Sequence, residues 1–305
     1  MFFESKKVRS VLCGFNELEK LLDGNGGICP QNELIHPIKN FQQHVNVFKR
    51  ENRKYIEYWR DKYNLGDVFS DYLLESIYDK QALDKIDHRR TMMFIGSEIP
   101  FLANNSTLVC GLGWQYRDKH VMDCKNVEGS SFCYVRGKIS RNNVIEAGIG
   151  ISPDLPIGDS GLLASLLYTP SSAKIHDIGI ITHWTAKQKL KTYLDTAKKI
   201  FPDKDIAIMQ MGDETKSPLD LFEFIQSCRV VVASSLHAII FSHSFGVPAL
   251  FFSDVDEYKF QDYYSVYDRI HYEDILKWTS LETALEHVSD EQFVQSVNPT
   301  KEEVV

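Results

Sequence analysis

The segment from Cys228 to Phe252 constrains the fold more tightly than any other part of the chain. Arg229–Ala233 is a run of β-branched residues, followed by Ser234 and Ser235. Leu236–Phe245 is apolar and ends at Gly246, and Val247–Phe252 is a second apolar run. The pattern predicts strand, helix and strand, with the glycine closing the helix. With joints this short, the two strands must lie parallel, linked by a right-handed crossover.

The same pattern recurs upstream. Tyr55–Trp59 reads as a short strand, and Asn64-Leu-Gly-Asp67 as a turn. Phe69, Leu73, Leu74 and Ile77 then fall at helical spacing. Met92–Ile95, Thr107–Cys110 and Phe132–Val135 are further strand candidates, ending in Gly96-Ser97, Gly111-Leu-Gly113 and Arg136-Gly137. In the second half, Asp177–Thr182 and Asp205–Gln210 read as strands, and Lys187–Ile200 and Pro218–Ser227 as helices. The style breaks near Pro153–Ser172. The expected fold is therefore α/β, with two Rossmann-like domains and a cleft between them. Residues 55–165 form the first domain, and residues 166–305 the second, which ends in a helical tail with a loose terminus from about Asp290. Residues 1–54 are a lead-in packed on the first domain.

Composition removes several classes of function. The chain has 305 residues, 42 acidic and 34 basic, for a net charge of -8. A nucleic-acid binder needs a basic face to displace counterions, so that class is disfavoured. Charged residues fall where a signal peptide would carry its apolar core, and no run reaches the roughly 18 apolar residues of a membrane span. Cysteines 13, 29, 110, 124, 133 and 228 show no CxxC or zinc spacing. Cys110, Cys133 and Cys228 lie in apolar runs and read as core residues. A cytoplasmic, reduced protein without a structural or catalytic metal is expected. There is no GxGxxG after the first strand, no P-loop, no HExxH and no GxSxG.

In open α/β sheets, ligands sit beyond the carboxyl ends of the strands. The residues gathered there suggest anion handling. Gly66 lets backbone approach a ligand at a helix N-terminus. Ser234 and Ser235 either present hydroxyls and amides to an anion or simply cap the helix that follows. Arg136 either forms a bidentate contact to carboxylate or phosphate or makes a structural salt bridge. His237, entering a helix after a buried strand, is either a rigidly held general acid or a satisfied core histidine. Asp67 orients a hydroxyl or caps its helix. His183 with Trp184 suggests a sugar-stacking or acid/base corner.

Taken in order, these segments resemble the polysaccharide pyruvyl transferases from about Tyr55 to Tyr264. Asn64–Asp67 is similar to that family's Asn-x-Gly-Asp turn, and Phe94–Ser97 to its Gly-Ser strand end. Gly111–Gly113 resembles its Gly-x-Gly turn, and Val135-Arg-Gly-Lys-Ile-Ser140 its Val-Arg-Gly-x-x-Ser/Thr. Gly158–Leu163 is similar to its Gly-Asp-x-x-Leu-Leu, and Gly179–His183 to its Gly-Ile-x-Pro-His. Cys228–Ile240, leading to Phe245-Gly-Val-Pro248, is the strongest segment, and Lys259-Phe-Gln-Asp-Tyr263 resembles the closing Lys-Phe-x-Asp-Tyr.

The resemblance implies a GT-B-like pair of domains with the active site in the interdomain cleft. It also implies transfer of a pyruvyl group from phosphoenolpyruvate to two hydroxyls of a sugar, giving a cyclic ketal and phosphate without a cofactor. By the matched positions, His237 is the general acid/base, Arg136 binds the donor and His183 shapes the cleft. Asn64, Gly66, Asp67, Ser97, Gly113, Ser234, Ser235 and Lys259 complete the substrate-binding set. Ser235 stands where some members carry arginine, and Lys259 and Arg229 are the cations able to compensate. The acceptor is left open between free, nucleotide-linked and lipid-linked sugars. The last would place the protein peripherally at the inner face of the membrane. The alternatives are a nucleotide-sugar glycosyltransferase, expected to show a ribose-binding carboxylate (Glu223 is a poor fit), and a non-catalytic polysaccharide-assembly protein.

Overall fold

The structure is a computed structural model, and it describes residues 56–77, 91–101, 107–115, 130–253, 258–271, 275 and 280–304. The expected lead-in (1–54), Tyr55, and Cys13, Cys29 and Cys124 lie outside these residues. Two all-parallel sheets organise the chain. In the first, β1 (Thr91–Met93), β2 (Thr107–Cys110) and β3 (Ser131–Tyr134) lie in the order β1-β2-β3. Single parallel bridges, Ile56 to Met92 and Val135 to Ile157, extend the ladder at either side. The strand expected at 55–59 is therefore reduced to one bridge at Ile56.

The second sheet has β4 (His176–Thr182), β5 (Ile206–Gln210), β6 (Cys228–Ala233) and β7 (Ala249–Phe251) in the order β5-β4-β6-β7. Its central strands, β4 and β6, are buried along most of their length, as their near-continuous apolar runs require. Helices cover both sheets: α1 (Leu65–Ile77), α2 (Lys138–Glu146), α3 (Ala164–Leu167), α4 (Leu190–Ile200) and α5 (Pro218–Ser227). They continue as α6 (Leu236–Ser244), α7 (Tyr258–Tyr264), α8 (Leu281–Glu286), α9 (Glu291–Val297) and α10 (Lys301–Val304).

Local chemistry explains the boundaries. Pro218 opens α5, where its missing N–H costs nothing, and Ser217 with Asp220 closes a capping box around it. The helix expected from Lys187 begins at Leu190, because Trp184–Lys189 forms a tighter 3-10 turn capped by His183. Gly246, at φ +68°, ends the α6 turn in a left-handed conformation that favours glycine.

α6 is buried at every position from Leu236 to Ser244, so it runs through the interior rather than over a surface. α1 packs on it through Phe69, whose ring meets Phe222 at 5.4 Å and Phe241 at 5.1 Å. The Leu65 N–H donates to the Met211 carbonyl at 2.8 Å, tying the start of α1 to the end of β5. The larger apolar cluster accordingly contains residues of both sheets, while a smaller one, including Met93, Val109, Leu112 and Trp114, lies beside the first.

The tail expected to be loose is pinned. Asp290 caps α9, and Val304 is 1% exposed. Arg269 donates to the carbonyls of Gln295, Ser296 and Asn298 and pairs with Glu303. Among the described residues, no helix is long and apolar enough to cross a membrane.

Candidate active site

A cavity of about 480 Å³ opens where the carboxyl ends of strands from both sheets converge. Asn64 and Asp67 enter it from the start of α1. Gly96, Ser97, Glu98 and Gln115 come from the turns after β1 and β2. His183 and Trp184 follow β4, Ser235, Leu236 and His237 open α6, and Lys259 comes from α7. Trp59 completes one wall, with its ring centroid 5.1 Å from that of Trp184, which in turn lies 5.4 Å from His183. The chamber thus has an aromatic side and a polar side.

His237 is the residue whose surroundings say most. A helix buried on every face must satisfy each polar side chain it carries. Ser242 donates to the Ala238 carbonyl, and Ser244 donates to the Leu162 carbonyl. His243 bonds the Tyr263 hydroxyl at 2.9 Å and the Asn298 side-chain oxygen at 2.9 Å. His237, 7% exposed, keeps its Nε2 without a partner while lining the cavity. A core histidine with a structural role would resemble His243; His237 does not. Burial, followed by the nearby charges of Arg136 and Lys259, pushes its pKa well below the ordinary value, so the ring is neutral at pH 7.

Gly66 explains how the ring is seated. A Cβ at this position would lie 2.5 Å from Nδ1 of His237, so the imidazole packs directly on the glycine backbone. Gly66 does not line the cavity; its N–H donates to Oδ1 of Asn64 at 3.0 Å. The close approach expected of this glycine is made to a side chain of the protein.

Arg136 takes the salt-bridge alternative. Its side chain is 0% exposed and does not line the cavity. Nε donates to Asp262 at 2.9 Å, and one terminal nitrogen donates to the Gly96 carbonyl at 3.2 Å and the Ser97 hydroxyl at 2.8 Å. Asp262 also accepts from the N–H and hydroxyl of Ser140, at 2.8 and 2.5 Å. The guanidinium lies flat on Gly113, where a Cβ would come within 1.9 Å of it. Gly137 gives way to the Asp262 backbone in the same manner, its would-be Cβ 1.9 Å from that carbonyl oxygen. Arg136 and Gly113 therefore form the backing of the wall that presents Ser97.

Ser234 is fully buried outside the cavity lining, and its hydroxyl accepts the His183 N–H at 3.0 Å, joining the ends of β4 and β6. Ser235 lines the cavity and makes no side-chain cap bond, although it stands at the N-cap of α6. His183 spends Nδ1 on Thr185, 2.9 Å from its hydroxyl. Of the two cations considered as compensation for Ser235, Lys259 lines the cavity. Arg229 sits at the opposite end of β6, exposed and paired with Asp177.

Sequence reasoning missed Glu98, Trp59 and Gln115. Glu98 follows Gly96-Ser97 directly, so its place just after a strand end was the available signal. Its carboxyl folds back over Gly96, where a Cβ would fall 1.8 Å from Oε2 and where φ is +139°. Oε2 is buried without a partner, and burial raises the Glu98 pKa to about 7. Asp67, 4% exposed, is held well above the usual carboxylate range by burial and then by Glu98. Among the described residues, no group of three His, Cys, Asp or Glu side chains is placed to hold a metal ion.

The model of the family described as polysaccharide pyruvyl transferase matches residues 87–256, more than half of the chain. The chain belongs to that family. An uncharacterized protein of Acanthamoeba polyphaga mimivirus, L143, is 26% identical over 226 residues, covering 70% of this chain and 74% of its own. A solved structure of a functionally uncharacterized protein from Klebsiella pneumoniae aligns with a TM-score of 0.44 at 13% identity, covering 76% of this chain and 96% of that one. The family match spans Gly96–Glu98, Arg136, His183 and Ser235–His237; Asn64, Asp67 and Lys259 reach the same cavity from outside it.

Proposed function

We propose that this member of the polysaccharide pyruvyl transferase family transfers a pyruvyl group from phosphoenolpyruvate to two hydroxyls of a sugar in a surface polysaccharide or its precursor. The products are a cyclic ketal and phosphate, and no cofactor takes part. The observation that carries the proposal is the unpartnered Nε2 of His237 in a cavity with Lys259 on one side and two tryptophans on another. Lys259, the Ser97 and Ser235 hydroxyls and the N-terminus of α6 suit a donor bearing carboxylate and phosphate. The Trp59 and Trp184 rings suit the apolar face of a pyranose.

In this reading the two parallel sheets belong to Rossmann-like domains of GT-B type, residues 55–165 and 166–305, with residues 1–54 packed on the first and the cavity in the cleft between them. His237 is neutral and acts first as a proton acceptor from a sugar hydroxyl. Arg136 contributes by fixing Ser97 and by its buried positive charge. The protein works in the cytoplasm. With a lipid-linked acceptor it works peripherally at the inner membrane face, and with a free or nucleotide-linked one it works in solution.

The nucleotide-sugar alternative loses the carboxylate considered for ribose. Glu223 is occupied by the Tyr168 hydroxyl and the N–H groups of Ser171 and Ser172, and it does not line the cavity. The test is phosphate release from phosphoenolpyruvate with galactose-, glucose- and mannose-terminated acceptors, comparing wild type with His237→Ala. Acceptor-dependent release that disappears in the variant supports the proposal. Binding of a nucleotide sugar but not of phosphoenolpyruvate refutes it.

A further inference from the structure

The geometry points to Glu98 as a catalytic acid of this site: the residue lines the cavity, its Oε2 is buried and unpartnered, and its carboxyl delivers the proton to the methylene carbon of the enolpyruvyl donor. The assignment rests on the proposed pyruvyl transfer and adds to it a proton donor that His237 does not supply.

Three observations place the proton on Glu98. Its backbone is fixed, because Glu98 bridges Trp114 and the preceding Gly96 holds a conformation few other residues adopt. Its carboxyl is turned in over Gly96 rather than out to solvent, and Oε2 has no hydrogen-bond partner. A buried carboxylate oxygen left in this state is costly, whereas a protonated one is tolerated and can donate.

The charged and titratable groups around it are Asp67 on α1, Lys259 on α7 and Arg136 behind the wall, with His237 and His183 lining the same cavity. Burial raises its pKa most, and the backbone N–H groups of Glu98 and Ser97 together with Arg136 and Lys259 draw it part of the way back, leaving it at about 7. An anionic donor bound beside it moves the balance upward again, so the acid keeps its proton until the reaction takes it. His237, pushed in the opposite direction, is left as the base. Two titratable groups with pKa values driven apart are the usual mark of an acid and base pair.

The steps balance. The Glu98 proton passes to C3 of the donor as the C2–C3 double bond gives up its electron pair. The first sugar oxygen bonds to C2, and its proton goes to the His237 ring. The second sugar oxygen then bonds to C2, the bond from C2 to the phosphate oxygen breaks, and phosphate leaves with the electron pair. The second hydroxyl's proton returns to the Glu98 carboxylate, and the His237 proton leaves on phosphate. Both residues end as they began.

The test compares wild type, Glu98→Gln and Glu98→Asp by phosphate release across pH 5.5–9, by phosphoenolpyruvate titration and by thermal melting. Glu98→Gln is expected to keep its melting temperature and its donor binding within threefold, while kcat falls about 10²–10⁴-fold, the usual worth of a positioned acid. The kcat/KM of wild type, which reports the free enzyme, should fall above about pH 7 as the acid deprotonates, and kcat should fall at a higher pH once the anionic donor is bound. Glu98→Asp should be slower but keep that alkaline limb, and Glu98→Gln should lack it. A Glu98→Gln protein that melts normally and turns over at the wild-type rate, or keeps the limb, overturns the role of Glu98 and leaves pyruvyl transfer standing. A wild type that releases no phosphate with any acceptor overturns both.

Discussion

Gly66→Ala is the substitution whose consequence the structure fixes most closely. The added methyl would lie 2.5 Å from Nδ1, 2.7 Å from Cγ and 2.8 Å from Cβ of His237, and relief to an ordinary contact near 3.4 Å requires about 0.9 Å of movement. α6 is buried on every face and cannot recoil as a unit, so the imidazole must swing away. A displacement of about 1 Å in a catalytic group can lower a rate about 10²-fold. Folding should suffer less. Alanine in place of glycine inside a helix is worth about 1 kcal/mol, against an overpacking penalty of roughly 1–3 kcal/mol. The decisive measurement is a double-mutant cycle with His237→Ala, followed by phosphate release and by urea unfolding. In the wild-type background, Gly66→Ala should cost about two orders of magnitude in kcat and leave stability slightly lower. In the His237→Ala background the contacts with Nδ1 and Cγ are gone and only the one with Cβ, at 2.8 Å, remains, so the same change should cost less stability than in wild type and leave the residual rate alone. Gly150→Ala, with nothing within 4 Å of the new methyl, is the control. A Gly66→Ala enzyme with full activity, or equal stability effects in both backgrounds, refutes the packing of His237 on Gly66.

Arg136→Ala strands the carboxylate of Asp262, which is 0% exposed, and should cost about 3–5 kcal/mol in urea unfolding. A midpoint equal to wild type would show that the ion pair supports nothing. His243 is neutral in the folded state down to about pH 3, whereas the unfolded chain takes up its proton near 6.5. Its contribution is present above 6.5 and is lost as pH falls toward 3, so wild type should lose about 2 kcal/mol relative to His243→Gln between pH 7 and pH 5. A constant difference between the two proteins would exclude that linkage. Trp184→Ala should raise the acceptor KM about tenfold, the equivalent of about 1.4 kcal/mol of lost stacking, without changing donor affinity. A changed donor affinity with an unchanged acceptor KM would move the aromatic wall to the donor side.

Much of the fold was legible because burial leaves plain marks. The Cys228–Phe252 unit has its strand, helix and glycine stop within one or two residues of the reading, since a helix apolar on every face and a β-branched run admit few alternatives. Tyr55–Trp59 was harder, because an edge segment held by one bridge at Ile56 looks in sequence like any aromatic run. The tail was misread for a different reason. Arg269 and Asn298 hold it through contacts with residues distant in sequence, and no local pattern announces those.

The site divides along the same line. His237, Ser235 and His183 reach the cavity as their strand-end positions suggested, and Lys259 reaches it from α7, but the motifs did not reveal what their members do for one another. Val135–Ser140 and Lys259–Tyr263 look like separate signatures, yet they meet at one buried knot. Arg136 and Ser140 both bond Asp262, and Gly137 is absent a side chain because the Asp262 backbone occupies its space. Glu98 stands just after a strand end like the others, but nothing in one sequence marks a carboxyl that will fold inward.

The electrostatics of the cavity follow from these placements. A chamber lined by Asp67 and Glu98 in a chain of net charge -8 should repel an anionic donor. It need not, because burial holds both carboxyls toward their neutral forms at the surface of the cavity. The positive charge of Arg136 is permanent and sits directly behind that surface, with Lys259 within it. An approaching anion therefore meets acids held toward neutrality, with Lys259 among them and the Arg136–Asp262 pair behind. Each unit of negative charge it brings makes those acids harder to ionise, so the proposed donor would strengthen the protonation state its own reaction needs.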